Sequence, residues 1–165
     1  MKKLLLLIGL VVFLTPMVVN AETVFKSELP KCYIKKNQTQ PTSNSPIECY
    51  VKISYPSGKT YEGELKKFDN GKYYYHGKGI FIYAPNTKNQ IIYKGEWVKG
   101  KKQGKGVETR ANGDKYDGFW QSNKYHGLGT LTLANGNERI GEWVKGVLEN
   151  ENLDKVYCQK SNGEV

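Results

Sequence analysis

The segment Gly100–Gly106, GKKQGKG, has the glycines and lysines of a phosphate-binding loop. Such a loop needs four residues between its first glycine and a Gly-Lys pair, then Ser or Thr. Here Gly100 and Gly104 enclose three residues, Gly106 follows Lys105, and no helical pattern comes next. The segment does not predict a nucleotide site, and no cofactor is expected. His76 and His126 are the two histidines, and each directly precedes the first glycine of a Gly-x-Gly pair. A metal site from them would need further ligands at matching depth, which the cysteines are not placed to supply. The acids Glu62, Glu64, Glu96, Asp117 and Glu142 also stand beside glycines, near lysines such as Lys94 and Lys115. Cross-strand charge pairs, each contributing about 0.2–1 kcal/mol, account for them. A paired-carboxylate hydrolase would need two acids roughly 5–9 Å apart in a cleft. No Ser/His/Asp or Cys/His set stands outside the repeating pattern either. The expectation is a protein that is not an enzyme, with no catalytic and no metal-binding residues.

The lysines are the remaining chemistry. Lys99, Lys101, Lys102 and Lys105 cluster at one expected hairpin end, with Lys66, Lys67, Lys124 and Lys145 at comparable turns. They read either as a solvated rim or as an electrostatic strip for an anionic surface, where each lysine adds about 1 kcal/mol near a charged membrane.

Lys2 and Lys3 followed by the apolar run Leu4–Leu14 and a small-residue exit at Ala21 have the layout of a secretory signal peptide. The Met-Lys-Lys start is bacterial in style. A retained anchor is the alternative, but the run is shorter than the roughly 20 residues of a membrane span. The expectation is export, to the periplasm or beyond, with cleavage near Ala21. Cleavage leaves 144 of 165 residues and lowers the formal charge from +9 to +7 by removing Lys2 and Lys3. A basic exported chain meets acidic lipids, anionic glycans and acidic proteins rather than nucleic acid. Export also permits disulfides, and Cys32, Cys49 and Cys158 are an odd set.

Residues 22–48 read as a polar lead-in. From Cys49 the chain repeats. Gly95, Gly118 and Gly141 are spaced by 23, as are Trp97, Trp120 and Trp143, and the pairs Gly104/Gly127 and Gly106/Gly129. Tyr61 and Gly63 begin a longer, earlier copy of the motif that opens at Tyr93 and Tyr116; its extra residues fall around FDNGKYYY and PNTKNQ, at turn positions. Each unit alternates like two short strands joined by hairpin chemistry such as Asn135-Gly136. Eight strands are expected, at 49–55, 60–66, 77–83, 91–98, 104–110, 115–121, 127–133 and 138–144, with 147–165 as a tail or cap. Alternation puts Tyr116, Gly118, Trp120, Gly127, Gly129, Leu131 and Leu133 on one face, the glycines leaving room for rings over bare backbone. Exposed rings on a single sheet would call for a partner or self-association. Glu108 and Arg110 stand where apolar residues are expected and interrupt that face. Seven strand spacings, roughly 34 Å, separate the first strand from the region after the eighth. A disulfide needs alpha carbons within about 7 Å, so Cys32–Cys49 is favoured over a bridge to Cys158.

YKGEWVKGKKQGKG at 93–106, YDGFWQSNKYHGLG at 116–129 and IGEWVKG at 140–146 resemble MORN repeats. The resemblance covers residues 49–146. It implies an all-β fold, an elongated, twisted antiparallel sheet of successive hairpins. It also implies scaffolding, protein association or, in some members, contact with acidic phospholipid. Arg139 in a tyrosine place and Leu65 in a tryptophan place depart from the pattern. The function expected is an exported module for protein or cell-envelope association; direct binding of acidic phospholipid or anionic glycan through the lysine rim is the alternative.

Overall fold

The computed structural model describes residues 27–36 and 38–149, and its regular elements are all strands. They are β1 Glu48–Ser54, β2 Thr60–Lys67, β3 Tyr73–Tyr83, β4 Ile91–Val98, β5 Lys101–Arg110, β6 Lys115–Gln121, β7 Lys124–Thr132, β8 Glu138–Val144 and β9 Val147–Glu149. Every strand pairs antiparallel with the next in the chain, giving one open sheet in sequence order.

The expected fold class is observed, with two differences. A ninth strand replaces the expected break after Gly146: Leu148 pairs with Trp143 and lies over Gly141. In addition β3, β5 and β7 begin earlier than expected, so Tyr73–Tyr75, Lys101–Gln103 and Lys124–His126 are strand rather than turn. The cause lies in the first glycine of each Gly-x-Gly pair. Gly104 has φ +61° and Gly127 φ +58°; there the register with the preceding strand shifts. A glycine in this left-handed region lets a strand bulge and continue instead of ending. The intervening turns shrink to Lys99-Gly100, Ser122-Asn123 and Lys145-Gly146, with positive φ at both residues. That is the geometry whose twist suits a two-residue hairpin.

The bulges also shift the alternation, so that Tyr75, Lys102 and Tyr125, opposite Leu65, Trp97 and Trp120, join the aromatic face. The core is that face. Tyr61, Tyr93, Tyr116, Trp97, Trp120 and Trp143 are all buried, packed largely edge to face, as in Tyr93–Trp97 and Tyr93–Trp120 at 5.0 and 5.1 Å. The expectation of exposed rings is thus corrected. Rings from neighbouring strands cover one another, each burial contributing roughly 1.5–3 kcal/mol, and the aromatic face needs no partner to hide them.

At the first edge, the lead-in runs beside β1. Cys32 N–H donates to the Tyr50 carbonyl at 2.9 Å and Tyr50 N–H to that of Pro30 at 2.8 Å. Cys32 and Cys49 form a disulfide with alpha carbons 5.1 Å apart, the pairing favoured from spacing. The signal segment, Cys158 and the tail beyond Glu149 lie outside the described residues.

Candidate functional site

Each unit is built on a ring over two glycines. The Tyr93 ring crosses Gly95 and Gly106, and a Cβ on Gly106 would fall 2.5 Å from its hydroxyl oxygen. Tyr61 and Tyr116 do the same over Gly63/Gly79 and Gly118/Gly129. The three hydroxyls donate to the carbonyls of Glu64, Glu96 and Phe119 at 2.8–3.0 Å. Burial pushes the phenols up, Tyr116 to about 12. Trp97, Trp120 and Trp143 donate from Nε1 to the carbonyls of Gly79, Gly106 and Gly129. The second glycine of each pair is therefore the floor expected for all of them. Gly104 and Gly127 serve the bulge instead, and Gly141, with no tyrosine before it, meets only Leu148.

One layer of the face departs from this chemistry. At equivalent register positions, the flanking units place Tyr75, Phe81 and Tyr83, and Tyr125, Leu131 and Leu133; β5 places Lys102, Glu108 and Arg110. Glu108 is only 5 % exposed and Lys102 8 %. Lys102 Nζ donates to Glu108 Oε2 at 2.5 Å. Arg110 Nε and a terminal nitrogen both donate to Oε1 at 3.1 Å, and the Tyr125 hydroxyl reaches the same oxygen at 3.3 Å. The Lys102 ammonium lies 4.7 and 4.6 Å from the Tyr93 and Trp120 ring centres, where the ring faces attract a cation. The interruption seen in the sequence is thus a compensated ionic layer. Burial opposes the charge on Arg110, but Tyr125 and Glu108 outweigh it and hold its pKa up. Arg110 remains half exposed. It lines a cleft of about 250 Å³ with Glu108, Trp120, Asn123, Tyr125, Lys124 and Lys145 among the walls.

The MORN repeat family model matches residues 72–88, 93–115 and 116–138. This chain carries MORN repeats. No curated protein matches it. MORN repeats are commonly binding modules, often for proteins or membranes, and are generally non-catalytic. Beyond the matched residues, β1, β2, β8 and β9 continue the MORN sheet at both edges.

The four lysines expected to form one strip are dispersed by the MORN sheet. Lys102 points into the aromatic face. Lys105 lies on the other face, over the Phe119 ring at 5.5 Å; Lys99 lies over Phe68 at 5.1 Å, and Lys101 is exposed. The bulge is the reason, because it puts Lys102 in register with Trp97. The edge that is basic is defined by the hairpin ends instead: Lys66 and Lys67 at the end of β2, Lys99, Lys124 at the start of β7, and Lys145. Alternate hairpin turns sit roughly 10 Å apart. His76 and His126 lie in β3 and β7, each with a buried Nδ1 that has no hydrogen-bond partner. Among the described residues no three His, Cys, Asp or Glu side chains converge to hold a metal ion.

The solvated face holds a feature the sequence reading missed. Directly after the strand glycine in β2, β4 and β8 stand Glu64, Glu96 and Glu142; β6 has Phe119. Lys78 and Lys105, inside their glycine pairs, become Leu128 in β7. Glu62, Lys94 and Asp117, before the strand glycine, become Ile140 in β8. Phe119, Leu128 and Ile140 are 39 %, 68 % and 54 % exposed. Phe119 abuts Gly127, and opposition of Leu128 to Glu142 makes Ile140 and Val144 its diagonal neighbours. Val147, opposite Val144, extends the patch. Aligning the repeats position by position and asking where charge is lost would have found it.

Proposed function

We propose that this chain is a non-enzymatic, exported association module that docks a protein surface on the solvated face of its last units. The observation that carries it is the coincident loss of charge at Phe119, Leu128 and Ile140, three positions that other units fill with charged side chains. A contiguous exposed apolar patch with a polar surround is a mark of protein contact. Export is supported by the layout of residues 1–21. The triple substitution Phe119→Glu, Leu128→Lys, Ile140→Lys restores residues that other units use at those positions. Glu96 there accepts Lys105 N–H at 3.3 Å, so Glu at 119 has a backbone partner available in the same geometry. The melting temperature should stay the same or rise, while self-association in sedimentation velocity or cross-linking to a partner in the native compartment disappears. Unchanged sedimentation and cross-links in the folded variant would sink the reading.

A second reading, contact with acidic phospholipid or an anionic glycan, is favoured by the basic turn edge rather than by the four-lysine strip. Replacing Lys67, Lys99, Lys124 and Lys145 with Glu should abolish co-sedimentation with anionic vesicles or glycan, whereas replacing Lys102 and Lys105 alone should not.

A further inference from the structure

We infer that the cleft beside the ionic layer binds carboxylates of an acidic peptide segment. The inference rests on the association reading and names the chemistry of one partner segment, on the aromatic face rather than over the apolar patch.

The cleft supplies donors with no free acceptor among its charged walls. Glu108, its one acid among the described residues, already receives Lys102, both Arg110 nitrogens and the Tyr125 hydroxyl. A carboxylate fully occupied in this way offers little to a ligand's own donors. The Asn123 side-chain oxygen is likewise taken, by Lys102 N–H at 2.8 Å, so its amide nitrogen is the part left to donate. Facing the ligand are Arg110, Lys124 at the start of β7 and Lys145 in the turn between β8 and β9, the two lysines without an ion-pair partner among the described residues. The local charge is three cations at the walls, with Lys102 and Glu108 cancelling behind them. A group that only accepts hydrogen bonds and carries negative charge fits this set. A hydroxyl-rich neutral sugar, which must also donate, does not.

The ionic layer fixes the position of the site. Arg110 is held by two hydrogen bonds to one oxygen of a buried acid and by a third, at 3.2 Å, to the Tyr125 hydroxyl, so its remaining terminal nitrogen is presented outward in a set orientation as a charge-assisted donor for a carboxylate. In the flanking units the same position is Tyr83 or Leu133 and carries no charge. The array thus has one such site, at one depth, where a plain basic edge would repeat. Trp120 is closed beneath its neighbours, so its ring face is not offered to a ligand for stacking.

The test uses the intact chain and a fluorescein-labelled hexaglutamate peptide, read by anisotropy. Lys124→Gln with Lys145→Gln changes two exposed residues at hairpin ends, and affinity should fall about tenfold. The layer swap Lys102→Tyr, Glu108→Leu, Arg110→Leu rebuilds the residues of the next unit, and should weaken the peptide at least as much while the fold is kept, as read by circular dichroism. Lys59→Gln with Lys88→Gln removes the same charge from turns at the opposite edge and should leave affinity within about twofold. Equal losses from both lysine pairs would overturn the site in favour of diffuse attraction. No peptide binding, or binding that both cleft variants retain, would also overturn it. So would cleft-dependent binding of phosphatidylserine-containing vesicles in place of peptide. The patch variant Phe119→Glu, Leu128→Lys, Ile140→Lys should bind hexaglutamate normally, so loss of association there and loss of peptide binding at the cleft are read separately.

Discussion

Glu108 shows how the same charges differ in effect according to what surrounds them. Removing it alone, as Glu108→Leu, leaves Lys102 buried against rings with no counter-charge, and breaking a buried pair in this way costs about 3–5 kcal/mol. Exchanging the whole layer, Lys102→Tyr with Glu108→Leu and Arg110→Leu, removes the desolvated charges together and should be neutral or stabilising. Chemical denaturation of both variants checks the contrast; equal destabilisation would show that the layer is not a coupled unit. Glu108 and Arg110 were legible in the sequence as departures. Their reason was not, because Lys102 joins the aromatic face only through the bulge at Gly104. The glycines divide similarly. Gly106→Ala drives a Cβ into the Tyr93 ring at 2.5–2.7 Å and should cost about 3 kcal/mol or more. Gly141→Ala meets only the end of Leu148 and should cost far less, within about 1 kcal/mol.

At the scale of the element, the 23-residue spacing of Trp97, Trp120 and Trp143 already implied hairpins in sequence order, and the sheet has them. Strand starts were displaced because a left-handed glycine reads as a turn in a sequence, yet here it sits inside a strand. Terminal elements followed less from pattern than from contact. The strand β9 has no repeat landmarks, and it forms because Leu148 covers Trp143 and Gly141. The lead-in is held by backbone pairing to β1 and by Cys32–Cys49, which closes a 17-residue separation. Reduction should lower stability by about 3 kcal/mol. Melting with and without dithiothreitol measures this, and a melting temperature indifferent to reductant would show that pairing alone secures the edge.

At the scale of the whole molecule, the aromatic face sets the response to pH. Burial raises the pKa of Tyr61, Tyr75, Tyr93 and Tyr125. Above about pH 10 the unfolded chain loses phenolic protons that the folded chain retains, so stability falls as pH rises further. Tyrosine ionisation followed by ultraviolet absorbance should coincide with loss of strand signal, whereas smooth ionisation near 10 in a folded protein would contradict the packing. In acid the sign reverses. Burial, then Lys66, lowers the pKa of His76, while hydrogen bonds lower Glu62, first from Tyr50. Stability therefore declines as pH falls through about 6.5, where an unfolded histidine protonates first, and again through the carboxylate range.

The sequence by itself determined the all-β class, the hairpin order and the ring-over-glycine unit, and favoured the cysteine pair, because each depends on residues near in the chain or on a fixed period. Only the tertiary structure decided which lysine is buried, that the rings cover one another, and where the apolar patch and the cation-lined cleft lie. Those depend on a one-residue change of face at each bulge and on the neighbours a side chain meets across strands, and neither is written in the spacing.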